Sequence, residues 1–232
     1  MTYTEIPRSS TAPPRPDPRL WAGIGSVLIF LVGLALTNVI AGGAGPAPVP
    51  GMSLPAFAAN PTSAAVNALG QALSGIALVV FASGLARTFG GRIAAQLTAS
   101  GALAGGTLIL SAVLMQSLTS PGLTGQPALA VALFNLAFLI GGPAHVVTLA
   151  MLLGSAAIAG RRTGRLPRWL STFGMVASGV GLLAVLNLGS PLLPFAATAY
   201  FIPAGRFLGF VFIVATVLST VLRRRRSDRP TL

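Results

Sequence analysis

The chain contains 232 residues, of which 53% are hydrophobic and only 8% are charged. An ordinary soluble domain carries roughly 25% charged residues, so this composition excludes a soluble globular protein and indicates a membrane protein. The net charge of +12 comes from arginine alone, since the chain has no lysine, and the arginines lie at the ends of apolar runs. The arginines therefore indicate the orientation of the chain in the membrane, and we expect no nucleic-acid partner.

Six apolar runs are long enough to cross a membrane as helices, which takes roughly twenty residues each. They cover residues 21–40, 64–86, 93–115, 128–159, 169–188 and 202–222. The sequence therefore predicts an all-α fold, a polytopic membrane bundle of six transmembrane helices over residues 21–222. In this prediction residues 1–20 form a Pro/Arg-rich cytoplasmic tail, and residues 223–232 form a basic cytoplasmic tail.

Arginines lie before the first run, in every second gap between the runs, and after the sixth. The basic segments hold Arg8, Arg15 and Arg19, then Arg87 and Arg92, then Arg161, Arg162, Arg165 and Arg168, and finally Arg223 to Arg226. The other gaps contain no charge. Because basic loops remain in the cytoplasm, both termini are predicted to be cytoplasmic.

A weak internal repeat divides the six runs into three pairs. Arg19, Arg92 and Arg165 are evenly spaced along the chain, and the second and third copies share further residues. These are Leu97/Leu170, Gly101/Gly174, Ala104/Ala177 and Gly106/Gly179. One interpretation is three helical-hairpin repeats that each start and end in the cytoplasm. The alternative is that small residues recur in any bundle of closely packed membrane helices.

Six polar side chains lie towards the ends of the runs that are far from the arginine clusters. They are Asn38, Asn67, Gln71, His145, Asn187 and Arg206. At about 1.5 Å of helical rise per residue, they lie roughly 24–30 Å from the cytoplasmic arginines. Polar groups at such depth usually face the bundle interior or water. These six residues are therefore the candidate ligand-binding residues of an outward-facing pocket.

Arg206 and His145 are the strongest of these groups. No acid lies near Arg206 in the sequence, so an exogenous anion or a lipid phosphate is its candidate counter-ion; alternatively its side chain extends to the headgroups. His145 follows Gly141-Gly142-Pro143, which interrupts the fourth run and frees backbone groups. Transporters build sites at such breaks. The alternative is a proline at the first turn of a helix.

The sequence does not support an enzyme. No carboxylate lies in any run, so a paired-acid site is excluded. One histidine without any cysteine cannot form a familiar metal site, and no HExxH, P-loop or dinucleotide motif occurs. We therefore expect no catalytic residues, no metal and no cofactor.

Three short motifs carry a resemblance. They are Phe134-Asn135 followed by Gly141 to His145, Leu166 to Trp169, and Pro203 to Phe207. With these motifs and its layout, the chain resembles uncharacterised six-span bacterial integral membrane proteins grouped only as domains of unknown function. The resemblance implies a location in the bacterial inner (cytoplasmic) membrane and brings no activity with it.

Two classes of function remain. We expect a non-enzymatic integral membrane protein that binds a lipid or protein partner, as an accessory or structural membrane component. The alternative is a small transporter or permease with an outward-facing polar pocket around His145 and Arg206. The expected partners are membrane lipids, and a protein partner, a homo-oligomer or an anionic or apolar small molecule are further candidates. The inner two thirds of the runs offer no polar path, which favours the first class.

Overall fold

The computed structural model describes residues 17–40, 61–123, 125–189, 198 and 200–227. These residues contain seven α-helices: α1 Trp21–Ile40, α2 Pro61–Phe89, α3 Gly91–Ser117, α4 Pro127–Leu139, α5 His145–Thr163, α6 Arg168–Leu182 and α7 Phe201–Ser227. Short 3-10 helices cover Pro18–Leu20, Pro121–Leu123 and Leu183–Gly189, and a π-helical turn covers Ile140–Ala144. Most of the predicted N-terminal tail (1–16) and the end of the C-terminal tail (228–232) lie outside the described residues.

Six helical segments are long and apolar enough to cross a membrane. They are Pro18–Ile40, Pro61–Phe89, Gly91–Ser117, Pro127–Thr163, Arg168–Leu188 and Phe201–Thr220. The predicted all-α bundle of six transmembrane helices is confirmed, and the chain is a multi-pass membrane protein. Apolar runs form helices because a backbone in lipid must satisfy its hydrogen bonds within the segment. The fourth segment comprises α4, the π-helical turn and α5.

Glycines form the tight turns at one end of the bundle. Gly90 and Gly91, with φ of 64° and 61°, join α2 directly to α3, and Gly164, with φ of 65°, ends α5. A side chain at such φ values is costly, whereas glycine adopts them freely. Arg87 and Arg92 flank the first of these turns, and we call this end of the bundle the arginine-rich end.

The helices form a closed ring in chain order. α1 packs on α2, α2 on α3, α3 on α5, α5 on α6 and α6 on α7, and α7 returns to α1. Glycine pairs lie at two of these crossings. A methyl group on Gly33 would lie 3.1 Å from the Cα of Gly70, and one on Gly75 would lie 2.6 Å from the carbonyl oxygen of Gly105. Such close backbone approach is a main source of helix association in lipid.

A large apolar cluster extends from the arginine-rich end to the middle of the bundle. Its members Phe81, Leu97, Leu152 and Phe212 are each 0% exposed. Two smaller clusters lie towards the opposite end, one around Met115, Phe134 and Ala137 and the other around Val146, Ala184 and Ile202. The three clusters leave a cavity where they meet.

Two pairs of corresponding residues in the second and third copies of the predicted repeat are buried alike. Leu97 and Leu170 are both 0% exposed, and so are Ala104 and Ala177. The residue of the first copy that corresponds to Ala104 is Leu31, which is 37% exposed. Because α1 turns a different face inwards, the burial pattern relates only the later two hairpins, and the threefold repeat stays a prediction.

Candidate functional site

A cavity of about 200 Å³ lies at the end of the bundle opposite the arginine-rich end. We call it the Arg206 cavity. Its walls come from α1, α2, α3, α4, the π-helical turn and α7. Apolar side chains form most of the lining, namely Phe30, Leu34, Met115, Phe138, Ile202 and Phe207, and the polar lining residues are Asn67, Gln71, Ser111 and Arg206. Ligand sites in proteins commonly combine an apolar lining with a few placed polar groups.

Pro143 explains the π-helical turn beside the cavity. Proline has no backbone N–H, and its ring clashes with the carbonyl four residues earlier in an α-helix. The chain accommodates it with the π-helical turn Ile140–Ala144, a common device inside long helices. The N–H of His145 consequently donates to the carbonyls of Ile140 and Gly142. In an uninterrupted α-helix it would donate to Gly141 instead.

The carbonyl of Gly141 accepts a hydrogen bond from the guanidinium of Arg206 on α7. The same guanidinium lies over the ring of Phe30, with Cζ 4.9 Å from the ring centroid, which is a cation–π contact. Among the described residues the Nε of Arg206 is buried and has no hydrogen-bond partner. The π-helical turn and α1 therefore hold Arg206 at the cavity wall, and the buried Nε stays unpaired among the described residues.

No carboxylate neutralises Arg206 within the part of the chain that the structure describes. The one acid there is Asp17, which accepts a hydrogen bond from the backbone N–H of Arg19 at the arginine-rich end. A charge away from water is costly unless it is paired. The Arg206 cavity therefore carries an uncompensated positive charge, which suits a phosphate or a carboxylate.

Two amides on neighbouring turns of α2 add neutral polar groups. Gln71 Nε2 donates to Asn67 Oδ1 at 3.2 Å, and both side chains are buried. Their four-residue spacing places them on one face of the helix. In this assignment of the amide atoms, Gln71 Oε1 and Asn67 Nδ2 have no hydrogen-bond partner among the described residues. They offer one acceptor and one donor group to the cavity.

Ser111 fastens α3 to the interrupted fourth span. Its hydroxyl donates to the carbonyl of Ala137 at 2.9 Å. This approach needs a glycine at position 141, because a methyl group there would overlap Ser111 Oγ and lie 2.7 Å from Ser111 Cβ. A methyl group on Gly142 would meet no atom closer than 3.6 Å. The two adjacent glycines therefore differ in the space around them, and only Gly141 must be a glycine for α3 to pack against the fourth span at Ser111.

Three of the six predicted site residues line the Arg206 cavity, namely Asn67, Gln71 and Arg206. His145 does not line it. Its side chain is 1% exposed, and its Nδ1 lies 2.9 Å from the carbonyl oxygen of Ala104, to which it donates. Of the two residues expected at the centre of a pocket, Arg206 thus lies in the cavity wall, and His145 connects α5 to α3.

Asn38 and Asn187 also lie away from the cavity lining. Asn38 is exposed on α1 and donates to the carbonyl of Leu34 on its own helix at 2.9 Å. Asn187 is buried and makes two hydrogen bonds with Thr198. Its Nδ2 donates to the Thr198 carbonyl at 3.0 Å, and its Oδ1 accepts from the Thr198 hydroxyl at 3.0 Å. Asn187 therefore links the 3-10 helix after α6 to Thr198.

Sequence reasoning missed Ser111 and the aromatic part of the lining. Ser111 was visible as a hydroxyl inside the third run, but serines in membrane helices often bond their own backbone, so it did not stand out. The sequence did not mark the aromatic lining residues Phe30, Phe138 and Phe207, because an apolar side chain in a membrane helix can face lipid, a neighbouring helix or a cavity.

Within the described ranges, no group of three His, Cys, Asp or Glu side chains could hold a metal ion. Comparisons with protein-family models, with curated proteins and with solved structures find no match to the chain. The function is therefore argued from the geometry and charge of the Arg206 cavity.

Proposed function

We propose that this chain is a non-enzymatic integral membrane protein that binds an anionic membrane lipid in the Arg206 cavity and acts as an accessory membrane component. Arg206 carries the proposal. Its buried Nε has no partner and no carboxylate neutralises it among the described residues, yet the lining around it is mainly apolar. An anionic lipid headgroup can pair with Arg206, and the apolar chains attached to it suit the apolar side chains at the edge of the cavity, such as Leu34 and Phe207.

The proposal includes a topology. The arginine-rich end faces the cytoplasm by the positive-inside rule, both termini are cytoplasmic, and the Arg206 cavity lies in the outer half of the membrane. The lipid would then come from the outer leaflet. The resemblance to uncharacterised six-span bacterial proteins supports the bacterial inner membrane as the location.

A small transporter or permease is the second candidate. The π-helical turn beside the cavity favours it, because interrupted helices line the substrate sites of many transporters. Transport also requires a path across the bundle. Between the Arg206 cavity and the arginine-rich end lies the large apolar cluster, in which Phe81, Leu97 and Leu152 are fully buried. We therefore rank lipid binding above transport.

Native mass spectrometry of the protein released from nanodiscs of its own membrane lipids tests the proposal. We expect the wild type to retain an anionic lipid and Arg206→Gln to lose it. Arg87→Gln is the matched control, because Arg87 is an exposed arginine at the arginine-rich end. Equal lipid retention by the wild type and Arg206→Gln would refute lipid binding at this site. Arg206-dependent uptake of an anionic solute by proteoliposomes would favour the transporter.

A further inference from the structure

The size of the Arg206 cavity restricts what it can enclose. Sites that surround a drug-sized ligand have volumes of about 300–1,000 Å³, whereas this cavity has about 200 Å³. A complete two-chain lipid cannot fit inside. If a lipid binds here, its headgroup occupies the cavity and its acyl chains stay outside.

Two side chains that line the cavity, one on α1 and one on α7, are also exposed or partly exposed on the outer surface of the bundle. Phe207 lines the cavity and is also 51% exposed, and Leu34 lines it from α1 while partly exposed. We call the position between these two side chains the mouth. On the side towards the arginine-rich end, α1 and α7 are closed by Phe30 and Phe210, whose ring centroids lie 5.4 Å apart in an edge-to-face contact. A headgroup that enters at the mouth would therefore come from the acyl region of a bilayer to the Arg206 guanidinium.

The polar lining restricts the chemistry of the headgroup. Arg206 presents a positive charge, and its buried Nε has no hydrogen-bond partner among the described residues. Gln71 Oε1 requires a hydrogen-bond donor, and Asn67 Nδ2 requires an acceptor. A hydroxyl group can satisfy either, because it both donates and accepts. A choline group has no such donor and brings a second positive charge close to Arg206.

We propose that the lipid bound at Arg206 has a headgroup that joins a phosphate diester to hydroxyl groups, and that this headgroup enters from the bilayer through the mouth. The phosphate lies against Arg206, the hydroxyl groups bond Gln71 and Asn67, and the chains remain in the bilayer outside Phe207. This inference rests on the proposed function, since it names the class of lipid and its route into the same cavity.

Three lipids test the headgroup chemistry in nanodiscs that contain equal amounts of each. Phosphatidylglycerol has the charge and the hydroxyls, phosphatidylethanol has the charge alone, and phosphatidylcholine has neither a net charge nor a hydroxyl. We expect native mass spectrometry to rank retention in that order. Arg206→Gln should reduce both anionic lipids relative to phosphatidylcholine by roughly tenfold or more. Gln71→Leu should remove an advantage of phosphatidylglycerol over phosphatidylethanol of about threefold to tenfold.

Two tryptophan variants test the route. Phe207→Trp narrows the mouth and should lower the retention of phosphatidylglycerol. Val211→Trp is the matched control, because Val211 lies one turn further along α7, is 57% exposed and does not line the cavity. Should Phe207→Trp fail to fold, Phe207→Ala takes its place. Its wider mouth should shorten the residence of phosphatidylglycerol after transfer of the protein to phosphatidylcholine nanodiscs.

The outcomes separate this inference from the proposed function. Equal retention of phosphatidylglycerol and phosphatidylethanol by the wild type, with Arg206→Gln still deficient, would overturn the headgroup chemistry alone. Equal behaviour of the variants at positions 207 and 211, or displacement of the lipid by inorganic phosphate from the aqueous side, would overturn access through the mouth. An Arg206→Gln variant that retains lipid as the wild type does would refute the proposed function as well.

Discussion

Gly141→Ala should destabilise the protein although alanine is the better helix former. The added methyl group would overlap Ser111 Oγ and lie 2.7 Å from Ser111 Cβ, on a side chain of α3 that is 3% exposed. Overpacking of this kind costs roughly 1–3 kcal/mol, and loss of the Ser111 hydrogen bond to Ala137 adds about 0.6 kcal/mol, the average for such bonds in a membrane protein. The gain in helix propensity offsets up to about 1 kcal/mol.

Gly142→Ala is the matched control for this prediction. It has the same propensity gain, and its methyl group would meet only atoms at 3.6 Å or beyond. The propensity terms cancel, so Gly141→Ala should be less stable than Gly142→Ala by roughly 1.6–3.6 kcal/mol. Unfolding by SDS titration in mixed micelles measures this difference.

A double-mutant cycle identifies the clashing partner. Replacement of Ser111 by glycine removes the two atoms that the new methyl group would clash with and leaves only an ordinary contact with Gln71 Oε1 at 3.6 Å. Ser111→Gly should therefore cost less stability in the Gly141→Ala background than in the wild type. If Gly141→Ala proves as stable as Gly142→Ala, the close packing of α3 against the π-helical turn is wrong, and with it the reason for a glycine at position 141.

Three further predictions concern residues around the site. Gly105→Ala should lower the free energy of unfolding by roughly 1–3 kcal/mol, because its methyl group would overlap a carbonyl of α2. Gly106→Ala should not lower it, because its methyl group meets nothing within 4 Å. Equal losses of stability in the two variants would contradict the close crossing of α2 and α3. His145→Ala should cost roughly 2–4 kcal/mol of stability while the folded protein keeps its lipid, and lipid loss at unchanged stability would instead assign His145 to the site. Asn67→Ala should reduce lipid retention in native mass spectra and Asn38→Ala should not, since only Asn67 lines the cavity.

Much of the fold could be predicted because it depends on local properties of the chain. The length of an apolar run decides whether a helix spans the membrane, and the first run, residues 21–40, coincides with α1. The interruption before His145 was also predictable, because Pro143 lacks a backbone donor wherever it stands in a helix. Only the structure shows that a π-helical turn, and no sharper break, accommodates this proline, with Gly141 in contact with Ser111 of α3 and Arg206 of α7.

The tertiary structure decided which of the predicted polar residues meet at the cavity. Sequence depth placed six polar residues in one layer of the membrane, yet only Asn67, Gln71 and Arg206 line the cavity. Depth follows from counting residues, whereas direction follows from the rotation of each helix about its axis, which changes by about 100° per residue. The composition of a membrane helix predicts its rotation poorly, because an apolar side chain is about equally stable facing lipid and facing another helix. Helix packing set it instead, with His145 directed at α3 and Arg206 at the carbonyl of Gly141.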